Sequence, residues 1–394
     1  MAYLKYQADY LFTGKEILPS TAVLITDENG VVQNITNVQE AGDDIKQLQG
    51  LLTPGFINCH CHLELSHMKG LIPPHTGLVD FILNILQLRN NSEDSILQAI
   101  ANSESEMKNN GIVAVGDISN NALTLLQKRK GNLQYHNFIE VSGFSPAHAT
   151  ARFNNGMLVY QAFKEYFPTA TSLVPHAPYS LSKQLFKLID AMATNPISTI
   201  HNQETKDENA FFLSGKGSFN NLYQSIGIDI TTFHQPTNTS SLQSVVPLMQ
   251  QPKKIILVHD TFISQADIDF LNQNHLQQQF IFCLCVNANQ YIENELPPID
   301  LLLQNNCNMV IGTDSLASNH QLCVLSEIKT ICQNFPNIPL QDVLTWATFN
   351  GAKALQMDVQ LGSFNIGKKP GIVLIDALTP NGGIAKNSIA KVID

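Results

Sequence analysis

The stretch at residues 55–64, "GFINCHCHLE", is a short apolar run that ends in histidine and carboxylate side chains. Seven further apolar, β-branched runs follow, and longer amphipathic segments with the apolar spacing of helices separate them. These runs lie at residues 111–119, 133–143, 171–180, 197–204, 254–261, 279–286 and 308–315. Eight strands that alternate with helices predict an α/β fold, a (β/α)8 barrel of the TIM type. The largely apolar character of most runs fits a parallel sheet that is buried on both faces.

The two ends of the chain have a different texture. Residues 21–38 contain two β-branched runs joined by Asn29-Gly30, which is a hairpin signal. The chain closes on short runs that again resemble strands, within residues 361–376 and 388–394. We therefore predict that residues 1–53 and 358–394 combine into a small β-sandwich domain beside a catalytic barrel domain of residues 54–357.

Composition excludes several classes of function. The 394 residues carry a net charge of -10, which argues against binding to a nucleic-acid backbone. No uninterrupted apolar run reaches the roughly 18 residues that cross a bilayer. Seven cysteines without a signal-peptide pattern indicate reduced thiols in a cytoplasmic protein. We expect a small-molecule substrate, no nucleic acid and no membrane, and a homodimer is left open.

Titratable side chains gather where the predicted strands end, which is where barrel enzymes carry their chemistry. They are His60, His62 and Glu64 on the first strand, His176 and Tyr179 on the fourth, His201 and Glu204 on the fifth, His259 and Asp260 on the sixth, and Asp314 on the eighth. A single histidine at a strand end is usually packed or solvated. Several that converge on one barrel mouth, together with an aspartate, would suit Zn²⁺ or Fe²⁺.

The cysteines offer an alternative metal site. Cys59-x-Cys61 and Cys283-x-Cys285 could form a four-thiolate zinc centre, although such sites usually leave two to four residues between paired cysteines. Alternate side chains of a strand share a face. If the neighbouring histidines face the barrel interior, Cys59 and Cys61 should therefore face the surrounding helices as apolar packing residues.

Several motifs carry a family resemblance. "PGFINCHCH" at residues 54–62 resembles the opening motif of the amidohydrolase superfamily, and "HNQE" at residues 201–204 resembles the His-x-x-Glu of its mononuclear aminohydrolase branch. "IILVHDT" and "VIGTDSLAS" resemble the sixth- and eighth-strand motifs of that branch. "VPHAPYSLS" is similar to the fourth-strand segment of S-adenosylhomocysteine and methylthioadenosine deaminases. The motifs occur in order over nearly the whole chain.

This resemblance implies one divalent metal ion, Zn²⁺ before Fe²⁺, held by four side chains: His60, His62, His201 and Asp314. It implies that Glu204 is the proton shuttle, that His259 orients the hydrolytic water, and that His176 lies near the substrate. Asp314 can also accept the proton of the water. The fourth predicted strand lacks the lysine that the family carboxylates to hold a second metal, so we expect one ion.

The residues after the first motif suggest a substrate. "HLELS" at residues 62–66 resembles the form found in aminodeoxyfutalosine deaminases, whose substrate is an adenine nucleoside with a benzoate tail. Glu64 would then bind ribose hydroxyls or the purine edge, or would support a metal-binding histidine. Arg152 is a candidate partner for the benzoate, as are Lys69 and Arg89. S-adenosylhomocysteine, methylthioadenosine and adenosine are the next candidate substrates.

The predicted reaction is hydrolytic deamination, in which metal-activated water attacks the amino-bearing ring carbon and ammonia leaves. Two alternatives stay open at this point. One is a hydrolase on the same scaffold that cuts another bond, as in a chlorohydrolase, a cyclic amidase or a guanine or cytosine deaminase. The other is a barrel that binds metal without catalysis. Turnover and ammonia release separate the three.

Overall fold

The computed structural model describes residues 3–192, 196–274 and 279–393. Its strands, in chain order, are β1 (Tyr3–Gln7), β2 (Tyr10–Phe12), β3 (Ile17–Pro19), β4 (Ala22–Asp27), β5 (Val32–Asn37), β6 (Ile45–Gln47), β7 (Leu51–Pro54), β8 (Phe56–Cys61), β9 (Ile112–Ser119), β10 (Gln134–Val141), β11 (Thr171–Pro175), β12 (Ile197–Asn202), β13 (Lys254–His259), β14 (Gln279–Leu284), β15 (Asn308–Ile311), β16 (Ile372–Ile375) and β17 (Ala390–Val392).

The α-helices are α1 (Leu78–Leu88), α2 (Glu93–Asn109), α3 (Leu125–Lys128), α4 (Ala149–Tyr166), α5 (Lys183–Asp190), α6 (Lys206–Ser214), α7 (Phe219–Ser225), α8 (Ser241–Val245), α9 (Gln265–Asn274), α10 (Val286–Glu293), α11 (Ile299–Gln304), α12 (Val324–Asn334), α13 (Leu340–Thr345) and α14 (Gly351–Ala354). A π-helical turn at Trp346–Asn350 joins α13 to α14. None of the described helices combines the length and hydrophobicity that a membrane crossing requires.

Strands β8 to β15 form the barrel. They pair in parallel within two four-stranded sheets, β8-β9-β10-β11 and β12-β13-β14-β15. At one seam the backbone N–H groups of Thr313 and Asp314 donate to the carbonyl of His60, over 3.0 and 3.1 Å. At the other seam the N–H of His201 donates to the carbonyl of His176 over 2.9 Å. The predicted α/β barrel fold is confirmed.

A side chain of the first motif ties the first barrel strand to the last. Asn58 is fully buried. Its amide Nδ2 donates to Thr313 Oγ1 over 2.8 Å, and its Oδ1 accepts from the Thr313 N–H over 3.1 Å. Because a buried polar side chain is costly unless it is paired, this reciprocal bond specifies which strands meet. It also holds the two ends that carry His60 and Asp314 side by side.

The barrel interior contains an apolar cluster, here called the apolar layer, to which each of the eight strands contributes. Its members include Ile57, Ala114, Phe138, Val174, Ile197, Ile256, Ile281 and Val310. Residues of α14 and the segment after it, among them Ala352 and Leu361, pack against the same cluster. The interior is therefore a filled core rather than a pore, as is usual for barrels of this size.

The expectation for Cys59 is wrong. Cys59 packs in the apolar layer with Cys283 and Cys285, whereas Cys61 packs in the cluster to which the surrounding helices contribute. Along β8, Asn58 pairs with Val115 but Cys61 pairs with Asp117, so β8 has one extra residue and forms a β-bulge. A bulge interrupts strict alternation and re-aims side chains.

The terminal segments form two further sheets, in the orders β5-β4-β1-β6 and β17-β16-β7-β2-β3. The hairpin predicted around Asn29-Gly30 is present, because β4 pairs antiparallel with β5. Both sheets contribute to one buried cluster that includes Tyr6 and Leu24 from the first sheet and Leu52 from the second. The β-sandwich is thus confirmed as an architecture, while its exact domain boundaries stay a prediction.

Gly55 joins the sandwich strand β7 to the barrel strand β8. A Cβ atom at this position would lie 2.3 Å from Val113 Cγ1 and 2.8 Å from the carbonyl oxygen of Pro370. The junction between the sandwich and the barrel therefore has no room for a side chain at residue 55.

Candidate metal centre and active site

The four ligands implied by the sequence converge at the barrel mouth, formed by the C-terminal ends of β8 to β15: His60, His62, His201 and Asp314. The Nε2 atom of His62 lies 3.2 Å from the Nε2 atoms of both His60 and His201. Asp314 Oδ1 lies 3.3 Å from the Nε2 atoms of His60 and His62. All four residues are buried.

Neighbouring groups orient two of these ligands. His201 Nδ1 lies 2.9 Å from the carbonyl oxygen of His176, so it carries the proton and leaves the Nε2 lone pair free. Ser318 Oγ donates to Asp314 Oδ2, which leaves Oδ1 directed at the histidines. His60 Nδ1 has no hydrogen-bond partner among the described residues.

The donor set fits a divalent cation. Ligand atoms about 2.0–2.1 Å from a tetrahedral Zn²⁺ lie about 3.3–3.4 Å from one another. The separations of 3.2 and 3.3 Å between the converging atoms are close to this spacing. Neutral imidazole is the form that binds metal, and burial lowers the pKa of His62 to about 3.

The backbone at three strand ends adopts the left-handed region, which is unfavourable for residues other than glycine. The φ angles are 47° at Gln203, 79° at His259, 46° at Asp260 and 57° at Asp314. Strain of this kind persists where the surrounding structure holds it, and it concentrates at functional sites. Here it occurs beside the converging side chains.

Glu204 and His259 lie beside the ligand cluster. His259 Nε2 is 3.6 Å from Glu204 Oε1, and His259 Nδ1 is 2.7 Å from Asn289 Oδ1. Burial lowers the pKa of His259 to about 4, so the ring is neutral at pH 7. Burial raises the pKa of Glu204 well above its ordinary value, and the charges of neighbouring carboxylates, Asp314 first among them, raise it further. A protonated Glu204 can act as an acid.

The three residues predicted to bind substrate, His176, Glu64 and Arg152, lie in three different environments. His176 lies in the mouth, with ring centroids 4.9 Å from His201, and burial lowers its pKa to about 4. Glu64 is buried, and its carboxylate accepts bonds from the backbone N–H and the side-chain amide of Asn120, over 3.0 and 3.1 Å, rather than from a histidine of the proposed ligand set. Arg152 lies exposed on α4, so its role stays a prediction.

Sequence reasoning missed Glu140, which lies near the end of β10. Its Oε1 accepts from the Asn120 side chain over 3.1 Å. Its Oε2 has no hydrogen-bond partner in the described chain and lies 3.6 Å from His201 Nδ1. Burial raises the pKa of Glu140 to about 7. A single carboxylate in the apolar run "NFIEV" was an available signal for this residue.

A buried ion pair was also missed. Lys128 Nζ lies 2.6 Å from Asp117 Oδ2, and both side chains are fully buried. Asp117 Oδ1 accepts from the backbone N–H of Leu63 over 2.8 Å. The pair therefore holds the residue that directly follows His62. The aspartate in "GIVAVGDIS" was a signal for it, whereas nothing in the local sequence indicates the lysine.

The thiols do not form the alternative metal site. Among the described residues, the groups with converging ligand atoms contain histidine and carboxylate only. All seven cysteines are free. Cys59 and Cys283 are buried packing residues of the apolar layer.

Known proteins are similar to this chain along its length. A 5-methylthioadenosine/S-adenosylhomocysteine deaminase of Thermoanaerobacter pseudethanolicus is 29% identical over 218 residues, which cover 52% of this chain and 44% of that protein. A 5'-deoxyadenosine deaminase of Methanothermobacter thermautotrophicus is 25% identical over 398 residues, which cover 94% of this chain and 85% of that protein.

Solved structures share the fold. The crystal structure of Helicobacter pylori aminofutalosine deaminase in complex with methylthio-coformycin superimposes with a TM-score of 0.78 at 20% identity, covering 97% of this chain and 94% of that chain. The amidohydrolase family model matches residues 51–393. The prediction of a hydrolase that acts on carbon–nitrogen bonds other than peptide bonds, in cyclic amidines, is confirmed, and the chain belongs to the amidohydrolase family.

Proposed function

We propose that this protein is a metal-dependent hydrolytic deaminase of an adenine nucleoside-type substrate. The convergence of three histidines and Asp314 at the barrel mouth, with a buried Glu204 beside them, carries this proposal. The named relatives that deaminate methylthioadenosine, S-adenosylhomocysteine and 5'-deoxyadenosine support the substrate class.

The proposed cofactor is one divalent ion, zinc by preference, since imidazole and carboxylate ligands suit it. When bound, the ion supplies a Lewis acid that lowers the pKa of water toward about 7. His60, His62, His201 and Asp314 would hold it. Asp314 would also accept a proton from the attacking water, because its carboxylate points at the same place as the histidine nitrogens.

Glu204 would donate a proton to the substrate, and His259 would orient the attacking water. Attack of water on the amino-bearing ring carbon needs a proton on the adjacent ring nitrogen, and a protonated Glu204 can donate it. With its Nδ1 hydrogen donated to Asn289, His259 presents an unprotonated Nε2 that can orient the water. The carbon–nitrogen bond then breaks, ammonia leaves, and an oxo group stands where the amino group was.

Within this class we propose aminodeoxyfutalosine as the preferred substrate. The "HLELS" sequence and the shared fold with an aminofutalosine deaminase support this choice. His176 and Glu64 would contact the nucleoside from the mouth, and Arg152 would meet the carboxylate of the tail from the exposed face of α4. The seven free cysteines support a cytoplasmic location.

An ammonia-release screen with zinc-loaded protein tests the proposal. The panel contains aminodeoxyfutalosine, S-adenosylhomocysteine, methylthioadenosine, adenosine, guanine and cytosine. The highest kcat/KM is expected for an adenine nucleoside, with aminodeoxyfutalosine first. Turnover of guanine or cytosine alone would contradict the substrate class. A metal-loaded protein that is inert on every candidate, including chlorinated rings and cyclic amides, would instead indicate a non-catalytic metal-binding barrel.

A further inference from the structure

Residues 69–77, here called the strap, connect β8 and the short 3₁₀-helix that follows it (Leu63–Met68) to α1. The end of α10, which follows the seventh barrel strand, makes three hydrogen bonds to this segment. Tyr291 Oη donates to the carbonyl of Ile72 over 2.6 Å. The N–H of His75 donates to the carbonyl of Tyr291 over 2.6 Å, and the N–H of Gly77 donates to that of Ile292 over 3.0 Å. The strap is therefore anchored on the far side of the β8–β15 seam.

Glu293, the last residue of α10, accepts two further hydrogen bonds, one on each carboxylate oxygen. Its Oε1 accepts from the backbone N–H of Leu78 over 2.7 Å, at the first turn of α1. The N-cap of α1 is Gly77, which has no side chain to satisfy that turn. A carboxylate at a helix N-terminus is also electrostatically favourable. Glu293 Oε2 accepts from Thr205 Oγ1 over 3.2 Å.

The Thr205 bond is unexpected from the sequence. Thr205 and Glu208 form the T-x-x-E pattern of a capping box at the start of α6. Thr205 makes no cap bond in the structure. Glu208 instead accepts from the backbone N–H groups of Gln203 and Glu204, over 2.9 and 3.3 Å. Neither side chain makes its capping-box bond, and the three bonds that they make instead hold the turn that carries Glu204.

We propose that Glu293 is a positioning residue that links the strap and the first turn of α1 to the turn carrying Glu204, through Thr205. The inference rests on the proposed function, because it assigns Glu204 to proton transfer. When the strap is seated, one carboxylate fixes the first turn of α1 and the residue next to Glu204 at the same time. Loss of this carboxylate would release both, so the position of the proton donor depends on Glu293.

Two variants test this coupling. Thr205→Val removes the hydroxyl without changing any charge near Glu204, and Glu293→Ala removes both bonds. A hydrogen bond to a charged group contributes enough to lower kcat about tenfold when it is lost from the positioned state. We expect that loss in both variants, with a smaller change in KM for Thr205→Val. Adding Thr205→Val to Glu293→Ala should cost no further activity.

Hydrogen exchange of the backbone amides gives a readout that does not depend on substrate. In Glu293→Ala the amides of residues 75–78 and of residues 203–206 should both exchange faster. In Thr205→Val only the second group should do so. Thr205→Ser, which keeps the hydroxyl, should restore kcat and protection. If Glu293→Ala loosens the strap alone and Thr205→Val matches the wild type, Glu293 only caps α1 and the proposed coupling is wrong.

A neighbouring ion pair between the same two segments of chain offers a matched control. Lys206 Nζ lies 3.5 Å from Glu295 Oε1, and both side chains are largely exposed. Since exposed ion pairs contribute little, Glu295→Gln should leave kcat and exchange unchanged. Glu204→Gln separates the two proposals. If it retains the deamination rate, the proton-transfer role fails, while the exchange behaviour of Thr205→Val and Glu293→Ala still decides whether the strap and the turn are coupled.

Discussion

The barrel interior consists of two levels of opposite chemistry along the same strands. The apolar layer takes a hydrophobic side chain from each of the eight strands. The level above it, here called the mouth layer, takes titratable side chains from the strand ends: His60, His62, Glu140, His176, His201, Glu204, His259 and Asp314. All but His176 are as buried as many core residues, so the difference between the layers does not come from exposure to solvent.

The comparison teaches that burial serves two different purposes in one barrel. Apolar burial stabilises the apolar layer. Buried polar groups are costly unless they are paired, and the mouth layer contains atoms that have no hydrogen-bond partner among the described residues, such as Glu140 Oε2 and His60 Nδ1. The pKa of Glu140 rises and that of His176 falls because burial disfavours the charged form of each. We infer that the mouth layer is retained for its chemistry and that the apolar layer supplies the stability.

The largest effect is expected for a proposed metal ligand in the mouth layer. His201→Ala should lose the metal and reduce kcat/KM by at least about 10³-fold, or about 4 kcal/mol, because one of four converging donors is gone. Metal analysis and ammonia release measure this. The unfolding temperature of the metal-free variant should stay within a few degrees of that of the metal-free wild type. A variant that keeps both metal and activity would refute the ligand assignment.

A smaller loss is expected for Glu204, the proposed proton shuttle. Glu204→Gln keeps the shape of the side chain but removes the acidic proton, and general acid–base catalysis typically contributes about 10²–10⁴-fold. We expect a loss of kcat in that range with full metal content, which separates proton transfer from metal binding. Deamination within a few-fold of the wild-type rate would show that another group carries the proton.

Asp260, at the edge of the mouth layer, predicts how the stability of the protein depends on pH. Its Oδ1 accepts from Asn202 Nδ2 over 2.9 Å, and its Oδ2 has no partner among the described residues. Burial raises the pKa of Asp260 to about 8, whereas the unfolded value is about 3.9. Between these values the unfolded chain releases a proton that the folded chain keeps, so stability falls as pH rises, by up to about 1.4 kcal/mol per pH unit.

Asp260→Asn carries a neutral amide at every pH and should therefore lack this loss. Urea unfolding of metal-free protein at pH 5, 6.5 and 8 should show a variant that becomes steadily more stable relative to the wild type as pH increases. Because every other group is common to both proteins, their titration cancels in the difference. A difference that stays constant with pH would mean that Asp260 is ionised in the folded protein.

The two layers also differ in how far the sequence predicts them. Apolar runs with strand spacing predict the barrel, and the histidine motifs predict the ligands at its mouth. The bulge in β8 is invisible in the sequence, because its one extra residue leaves the run "FINCHC" unbroken. This is why the predicted orientation of Cys59 was wrong, although the proposed metal ligands converge as expected.

Side chains that support the site were the hardest to foresee. Asn289 bonds to His259 across 30 residues of chain, and Glu293 bonds to Thr205 across 88. Such contacts depend on how helices after different strands pack over the mouth, and no local spacing encodes them. Local pattern does not decide such contacts: Thr205 and Glu208 have the T-x-x-E spacing of a capping box, but Thr205 makes no cap bond and Glu208 accepts from the Gln203 N–H.

The smallest effect is expected in the apolar layer, and it tests whether the two layers are separable. Ile256→Val removes one methyl group from a fully buried side chain and should lower the free energy of unfolding by about 0.5–1.5 kcal/mol. Urea unfolding measures this, and kcat and metal content should match the wild type. Ile256 lies on β13, three residues before His259. If this substitution changes metal content or kcat, packing in the apolar layer sets the geometry of the mouth layer, and the division between stability and chemistry does not hold.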